Sequence, residues 1–305
     1  MAIFRKGYRP YSGPRSHVPA FYVIARQGWG QALKWWSLRI PAIIQFLVFS
    51  GVLTGLLATL SLKEQLDGQV DKMGAQGKLV SVALSSLAEL NTYARTFYEL
   101  TTFLVCLMGI FVGAGVIAND KRSKASSLYL ARPLSRHDYV LGKLLVVPGI
   151  LALLTLIPGL SYWLIVGLWQ EPGETMRWYA DNADFVERVV SYAGILTCSM
   201  AGLMLLVSSL AARSGTAIVM GLSAVVAGSV ISSAARNMDG TLGSYLFALG
   251  IPRNALREWR SIEGIRGFGS RWQPDEAAIW HVSLALLVLG ILVTLWKTRS
   301  TEVTE

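Results

Sequence analysis

LLVVPGILALLTLIPGLSYWLIVGLWQ, residues 144–170, runs for 27 residues without a charged side chain, and its reading decides the fold. An α-helix rises about 1.5 Å per residue, so about 20 apolar residues cross a hydrocarbon core about 30 Å thick. Five further charge-free runs cover 40–62, 100–119, 189–212, 214–235 and 277–296, each 20 to 24 residues long. The next longest, 240–252, holds 13 residues and is too short to span. The fold class that follows is an all-α integral membrane protein with six transmembrane helices. Composition agrees: 53% of the 305 residues are hydrophobic, 15% are charged and the mean hydropathy is +0.46. Soluble domains carry about 25% charged residues.

Within the quoted run, Pro148-Gly149 and Pro158-Gly159 stand ten residues apart. Each proline removes an amide donor and crowds the preceding turn, so a static kink or a moving hinge is expected at both. Two other spans carry small residues four apart: Gly109 and Gly113 in the second, Ala224, Gly228 and Ser232 in the fifth. Such faces allow close helix approach, either within the chain or at a subunit interface. Cys106 and Cys198 fall inside spans two and four and are expected to be apolar fillers. His281 is the one histidine within a span, near the outer end of the last, and Gln45 with several Ser and Thr are the midplane polar candidates. Ion-coupled carriers place carboxylates, Lys or Arg in a buried pathway, which argues against a secondary transporter.

Orientation follows from the basic residues. With the N-terminus in the cytoplasm, segments 1–39, 120–143, 213 and 297–305 lie inside and hold 16 Lys and Arg against 4 Asp and Glu. The segments assigned outside, 63–99, 171–188 and 236–276, hold 12 against 15. This positive-inside bias predicts that both termini are cytoplasmic. It also explains the overall charge of +9, so nucleic acid is not an expected partner and anionic lipid headgroups are. No cleavable signal peptide is expected, since the first apolar run begins late, at residue 40, and is too long for one.

Along the chain, residues 1–39 are expected to form a cytoplasmic arm, 40–296 the six-helix transmembrane body and 297–305 a cytoplasmic tail. Phe21, Ile24, Trp29, Leu33, Trp36 and Ile40 recur at spacings of three to five. That pattern predicts an N-terminal interfacial amphipathic helix over Ala20–Arg39, with Pro41 near the turn into the membrane. A polar, glycine-containing loop is expected over Lys63–Lys78, and over 79–95 an external helix that lies on the outer surface or extends the second span. Residues 171–188 read as a short external linker, and 240–250 as a re-entrant or interfacial segment.

Several chemistries are absent from the sequence. There is no G-x-x-x-x-G-K-[ST] phosphate loop, no H-E-x-x-H and no G-x-S-x-G. His17, His137 and His281 lie in different segments without ligand spacing, so neither a metal site nor catalysis is expected.

The segment between spans two and three carries the sharpest signal. It contains Asp120, Leu128, Leu130, Arg132-Pro133-Leu134-Ser135-Arg136 and Tyr139-Val140-Leu141-Gly142-Lys143. Leu128, Leu130 and Ala131 give a short helix an apolar edge, and Pro133 stops that helix after Arg132. Ser135 is placed to cap the next helix, with Asp138 at its third position. Two helices meeting at a fixed turn make a knob, and Arg132 and Arg136 offer charge to a partner's carboxylates. A basic loop that only sets topology needs none of this punctuation. The pattern resembles the loop of type-2 ABC exporter permeases, which show an acidic residue after the second span, a Pro-[Leu/Val]-[Ser/Thr]-Arg turn and Tyr-x-x-Gly-Lys. A second echo is Ser208-Ser209-Leu210-Ala211-Ala212-Arg213-Ser214, similar to the family's cytoplasmic turn between spans four and five. The usual Glu-Gly-Thr-Leu stretch is replaced by Lys124-Ala125-Ser126-Ser127-Leu128.

The resemblance implies a permease subunit, in a prokaryotic plasma membrane, that exports a substrate or does mechanical work on the membrane. It implies two copies of a separate ATP-binding subunit as partners and a second permease subunit in a homo- or heterodimer. ATP and Mg would be bound by the partner, with no cofactor in this chain. A non-transporting membrane scaffold or assembly factor is the main alternative.

Overall fold

The computed structural model describes residues 18–87, 89–122, 136–170, 173–236, 238, 240–259 and 275–300. Among these, every secondary-structure element is helical. In chain order they are α1 (Ala20–Ala32), α2 (Trp36–Leu87), α3 (Leu90–Arg122), α4 (Arg136–Leu144), α5 (Val146–Leu168) and α6 (Thr175–Asp181). There follow α7 (Ala183–Leu210), α8 (Ser214–Ala235), α9 (Thr241–Phe247), α10 (Ile251–Ala255), a 3₁₀ turn (Leu256–Trp259) and α11 (Glu276–Ser300). Six stretches are long and apolar enough to cross a membrane: Trp36–Leu66, Leu90–Arg122, His137–Leu168, Ala183–Leu210, Ser214–Ala235 and Glu276–Lys297. Each charge-free run of the sequence maps onto one of them. The protein is an all-α integral membrane protein of six spans.

Three expected boundaries move. The stretch from Lys63 to Lys78 is not a loop, because α2 continues to Leu87; of 79–95, the first part ends α2, and the part from Leu90 extends the second span, the second of the two expected arrangements. Lys, Glu, Gln and Leu in this stretch are good helix formers, and its isolated glycines cost only about 1 kcal/mol each. α2 cannot be straight, however. The Tyr93 hydroxyl of α3 donates to Gly55 O (3.3 Å) and meets Thr59 Oγ1 (3.1 Å). A straight helix would carry Leu87 about 42 Å from Thr59. The short join to Leu90 and the Tyr93 contact leave at most about 28 Å.

The arm is likewise two helices rather than one over Ala20–Arg39. α1 ends at Ala32, and a turn leads into α2 at Trp36, which leaves Pro41 inside α2. Phe21, Ile24, Ala25, Gly28 and Trp29 turn toward α4 and α5, and Gly28 sits against Val146. Leu33, Trp36 and Ile40 of the same expected stripe are exposed.

Third comes the long span of residues 144–170, which is broken at Leu145 between α4 and α5. Pro148 offers no amide to the Leu144 carbonyl four residues back, so the ladder lapses at the join. The Trp29 indole Nε1 donates to Leu145 O (3.1 Å) and Val146 O (3.2 Å) beside it. Pro158 strips Leu154 O of its helical donor in the same way. Gln45 of α2 replaces that donor, Nε2 to Leu154 O at 2.6 Å, and Tyr98 of α3 donates to the neighbouring Thr155 O at 2.9 Å. Both carbonyls beside Pro158 are thus held by donors from other spans. Gln45, the expected midplane polar residue, supplies the donor that Pro158 lacks.

The bundle is organised round α7. In its apolar stretch 78% of residues are buried, against 11% for the first span. A helix buried on all sides contacts protein, and one so exposed contacts mainly lipid. α7 and α11 pack most closely: Ser199 Oγ and Ser283 Oγ are 2.9 Å apart, and a Cβ on Gly202 or Gly290 would strike the other helix's backbone. The expected linker 171–188 contains α6, whose Tyr179 hydroxyl donates to Leu164 O at 2.9 Å. Segment 240–259 folds back into the bundle. Leu249 O lies against Gly228, seven residues or about 10 Å inside the end of α8, and Trp259 stacks on Tyr98 at 4.8 Å.

Candidate functional site

One end of the bundle gathers the last turn of α3, all of α4, α1, the α7–α8 turn and the end of α11. This is the end from which the segment between spans two and three emerges. Residues 123–135 fall outside the described residues, and with them Leu128, Leu130, Arg132, Pro133, Leu134 and Ser135. Arg136 opens α4, its side chain also outside the description. The two roots of the segment are described, and they meet.

Asp120, in the last turn of α3, pairs with Lys143, in the last turn of α4: Nζ to Oδ2 is 2.7 Å. The Tyr139 hydroxyl donates to the same carboxylate oxygen at 2.9 Å. Both charged side chains are about six-sevenths buried, at 14% and 15% exposure, so solvent screens the pair far less than a surface bridge. Lys143 Nζ also stands 5.8 Å from the Tyr139 ring centroid. Local sequence explains the arrangement. Tyr139 and Lys143 are four apart on α4 and therefore share a face. Asp138 in the first turn of α4 and Lys143 in the last complement the helix dipole. Gly142, about a quarter-turn round the helix, faces α1. A Cβ there would meet Ile24 Cβ at 2.7 Å and Phe21 O at 2.8 Å, so only glycine lets α1 lie this close to α4. Asp120, Tyr139, Gly142 and Lys143, up to 23 positions apart in the chain, thus converge.

The second turn lies beside them. Only Ala211, Ala212 and Arg213 separate α7 from α8; Arg213 is exposed and Ser214 begins α8. Lys121 donates through Nζ to Ser209 O. The Ser208 hydroxyl, fully buried, accepts from Ile117 N and Ala118 N at 3.1 Å each and donates to Ala114 O at 3.1 Å. Sequence reasoning quoted Ser208 and Ser209 within the turn but assigned them no role, and it passed over Lys121. The available signal was a serine pair closing the fourth charge-free run, beside a lysine just past the second.

The small-residue faces are used inside the chain. Gly109 lies against Met200 and Leu151, and Gly113 against Met204 and Val147. Gly228 meets Leu249 O, Ser232 meets Gly250, and Ala224 packs on the core. Both faces therefore serve intrachain packing. Among the described residues no group of His, Cys, Asp and Glu has metal-holding geometry.

Comparison with known proteins agrees with this architecture. A family model described as "ABC-2 family transporter protein" matches residues 22–261, from α1 past the 3₁₀ turn. None of the curated proteins searched matches the chain.

Proposed function

The chain belongs to the ABC-2 transporter family, and from that premise we propose that it is the permease of an ATP-driven exporter worked through residues 119–143. Family membership makes it a membrane permease component of an ABC transporter, a class in which ATP is hydrolysed by a separate subunit. In our reading two ATP-binding subunits carry ATP and Mg, a second permease subunit completes a dimer, and substrate leaves through or beside that dimer. Residues 119–143 and both termini face the cytoplasm of a prokaryotic cell, and α1 rests at the inner membrane surface.

The observation that supports this reading best is the Asp120–Lys143–Tyr139 cluster. A loop whose two roots were independent would absorb a push from a partner by flexing. Roots joined by a part-buried ion pair move together, so force applied at Arg132-Pro133-Leu134-Ser135-Arg136 reaches spans two and three as one displacement. Gln45 bears on the competing class of secondary transporters. Its amide hydrogen is committed to Leu154 O, which removes a donor from any midplane transport site.

Replacing Pro133 with Ala and Arg136 with Glu together should abolish co-purification of the ATP-binding subunit while the permease still inserts. Equal recovery of that subunit would overturn the role of the knob. Orientation has its own test: Ser127→Cys should react only with thiol reagents admitted to the cytoplasm, and labelling from outside would reverse the topology.

A further inference from the structure

Most hydroxyls in the spans serve their own helix. Thr101, Thr155, Thr197, Ser283 and Thr294 each donate to the carbonyl four residues back. Ser208 is different: it reaches across to the backbone of α3. Ala118 N donates to it, and it donates to Ala114 O, the carbonyl that Ala118 N meets in an uninterrupted helix. Ile117 N fills the remaining acceptor position, so the hydroxyl's one donor and two acceptor sites are all used. Ser208 therefore binds the α3 main chain at three points within one turn. That turn ends two residues before Asp120, at the root of the segment between spans two and three. One residue past Asp120, Lys121 grips Ser209 O on the same turn of α7.

We propose that Ser208, with Lys121, is a positioning residue that delivers displacement of the 119–143 connector to span four. This deepens the coupling reading above and rests on it for its functional meaning. The path is continuous. The connector's roots are tied by Asp120 and Lys143, and the first root is tied to α7 by Ser208 and Lys121. α7 in turn is locked to α11 where Gly202 and Gly290 cross and Ser199 meets Ser283. Spans two, three, four and six therefore form one block at this end. Away from this end, span two meets span four through the Thr102–Tyr192 hydroxyl pair (2.8 Å) and side-chain packing. The Ser208 junction adds hydrogen bonds to the α3 main chain itself.

The test uses the full chain in lipid nanodiscs and needs no partner. Ser208→Ala should speed amide hydrogen exchange at residues 114–122 by at least about tenfold, the loss expected when a buried hydroxyl serving three hydrogen bonds is removed. Asp120→Asn should instead speed exchange in α4 and spare 114–118. Spin labels at the exposed positions Leu141 and Leu210 should give a narrow distance distribution that broadens in Ser208→Ala. Labels at exposed Leu153 and Val190, on spans three and four away from the junction, should not respond. General loosening would broaden both pairs and would sink the proposal, as would unchanged exchange and unchanged Leu141–Leu210 distances. If Ser208→Ala does not fold, Lys121→Met interrogates the same junction from α3 with the same two readouts. Failure of the connector mutant to lose its ATP-binding subunit, with these results as expected, would refute the coupling role and leave the junction standing.

Discussion

Gln45 and Pro158 should behave as a thermodynamic pair, although they are 113 positions apart on different spans. Pro158 leaves Leu154 O without its helical donor, and Gln45 Nε2 restores one at 2.6 Å. Gln45→Leu removes that donor at nearly constant volume, in a side chain only 3% exposed. A bare carbonyl among apolar groups costs about 1–3 kcal/mol, and hydrogen bonds measured between spans average about 0.6 with a maximum of about 1.7. A second effect opposes this loss. Gln45 Oε1 is buried and has no hydrogen-bond partner, so leucine also deletes a poorly satisfied acceptor. The single substitution is therefore a blunt instrument, with a net loss of about 1 kcal/mol. The double-mutant cycle is sharper. Pro158→Ala returns an amide to position 158, so that Leu154 O can regain its own helical bond and Gln45 becomes dispensable. In the Pro158→Ala background, Gln45→Leu should be neutral or stabilising, giving a coupling of about 1 kcal/mol or more. The assay is thermal or SDS-driven unfolding of the four variants in one detergent, followed by tryptophan fluorescence. A coupling below about 0.3 kcal/mol, the limit for independent sites, would mean that Gln45 does not supply the donor that Pro158 lacks.

Gly142→Val should detach α1 from α4, because its side chain has no room between Ile24 and the Phe21 carbonyl. Limited proteolysis should then release the first 35 or so residues faster than from wild type while the spans stay intact, and an unchanged cleavage rate would contradict the packing. Gly290→Leu should be far more damaging, since the added side chain meets Gly202 backbone at the tightest helix crossing. Overpacking of this sort costs about 1–3 kcal/mol or more, so a lower unfolding midpoint is expected, whereas Gly30→Leu, into open space, should leave it unchanged.

What could be seen in the sequence was governed by local rules. Six charge-free runs announce six spans because hydrocarbon excludes charge over a fixed thickness, and that constraint acts on every residue of a run. The roots of the connector were visible because Asp120, Tyr139 and Lys143 match the acidic residue and the Tyr-x-x-Gly-Lys pattern of the resembled loop. The helical course of residues 63–78 was not visible, because polar composition and scattered glycine are shared by loops and by exposed helices. The divided fates of the arm's apolar stripe were hidden too. Phe21, Ile24 and Trp29 carry the same periodicity as Leu33, Trp36 and Ile40, and periodicity states that a face is apolar without stating whether protein or lipid covers it.

Gln45, Ser208 and the Gly202–Gly290 crossing share a further property that kept them hidden. Each acts on the backbone of another span, and backbone carries no sequence signature. A proline can be seen to orphan the carbonyl four residues earlier, but which of five other spans supplies the donor depends on how the bundle closes. Ser208 resembles every other serine of its run until α3 lies beside it. In a soluble protein water would relieve many such orphaned groups; inside a bilayer another helix must do so. Polar residues of apolar runs are therefore best weighed against the backbone defects elsewhere in the chain. Gln45 answers Pro158 in this sense, whereas Ser208 adds bonds to the unbroken α3 backbone at Ala114, Ile117 and Ala118.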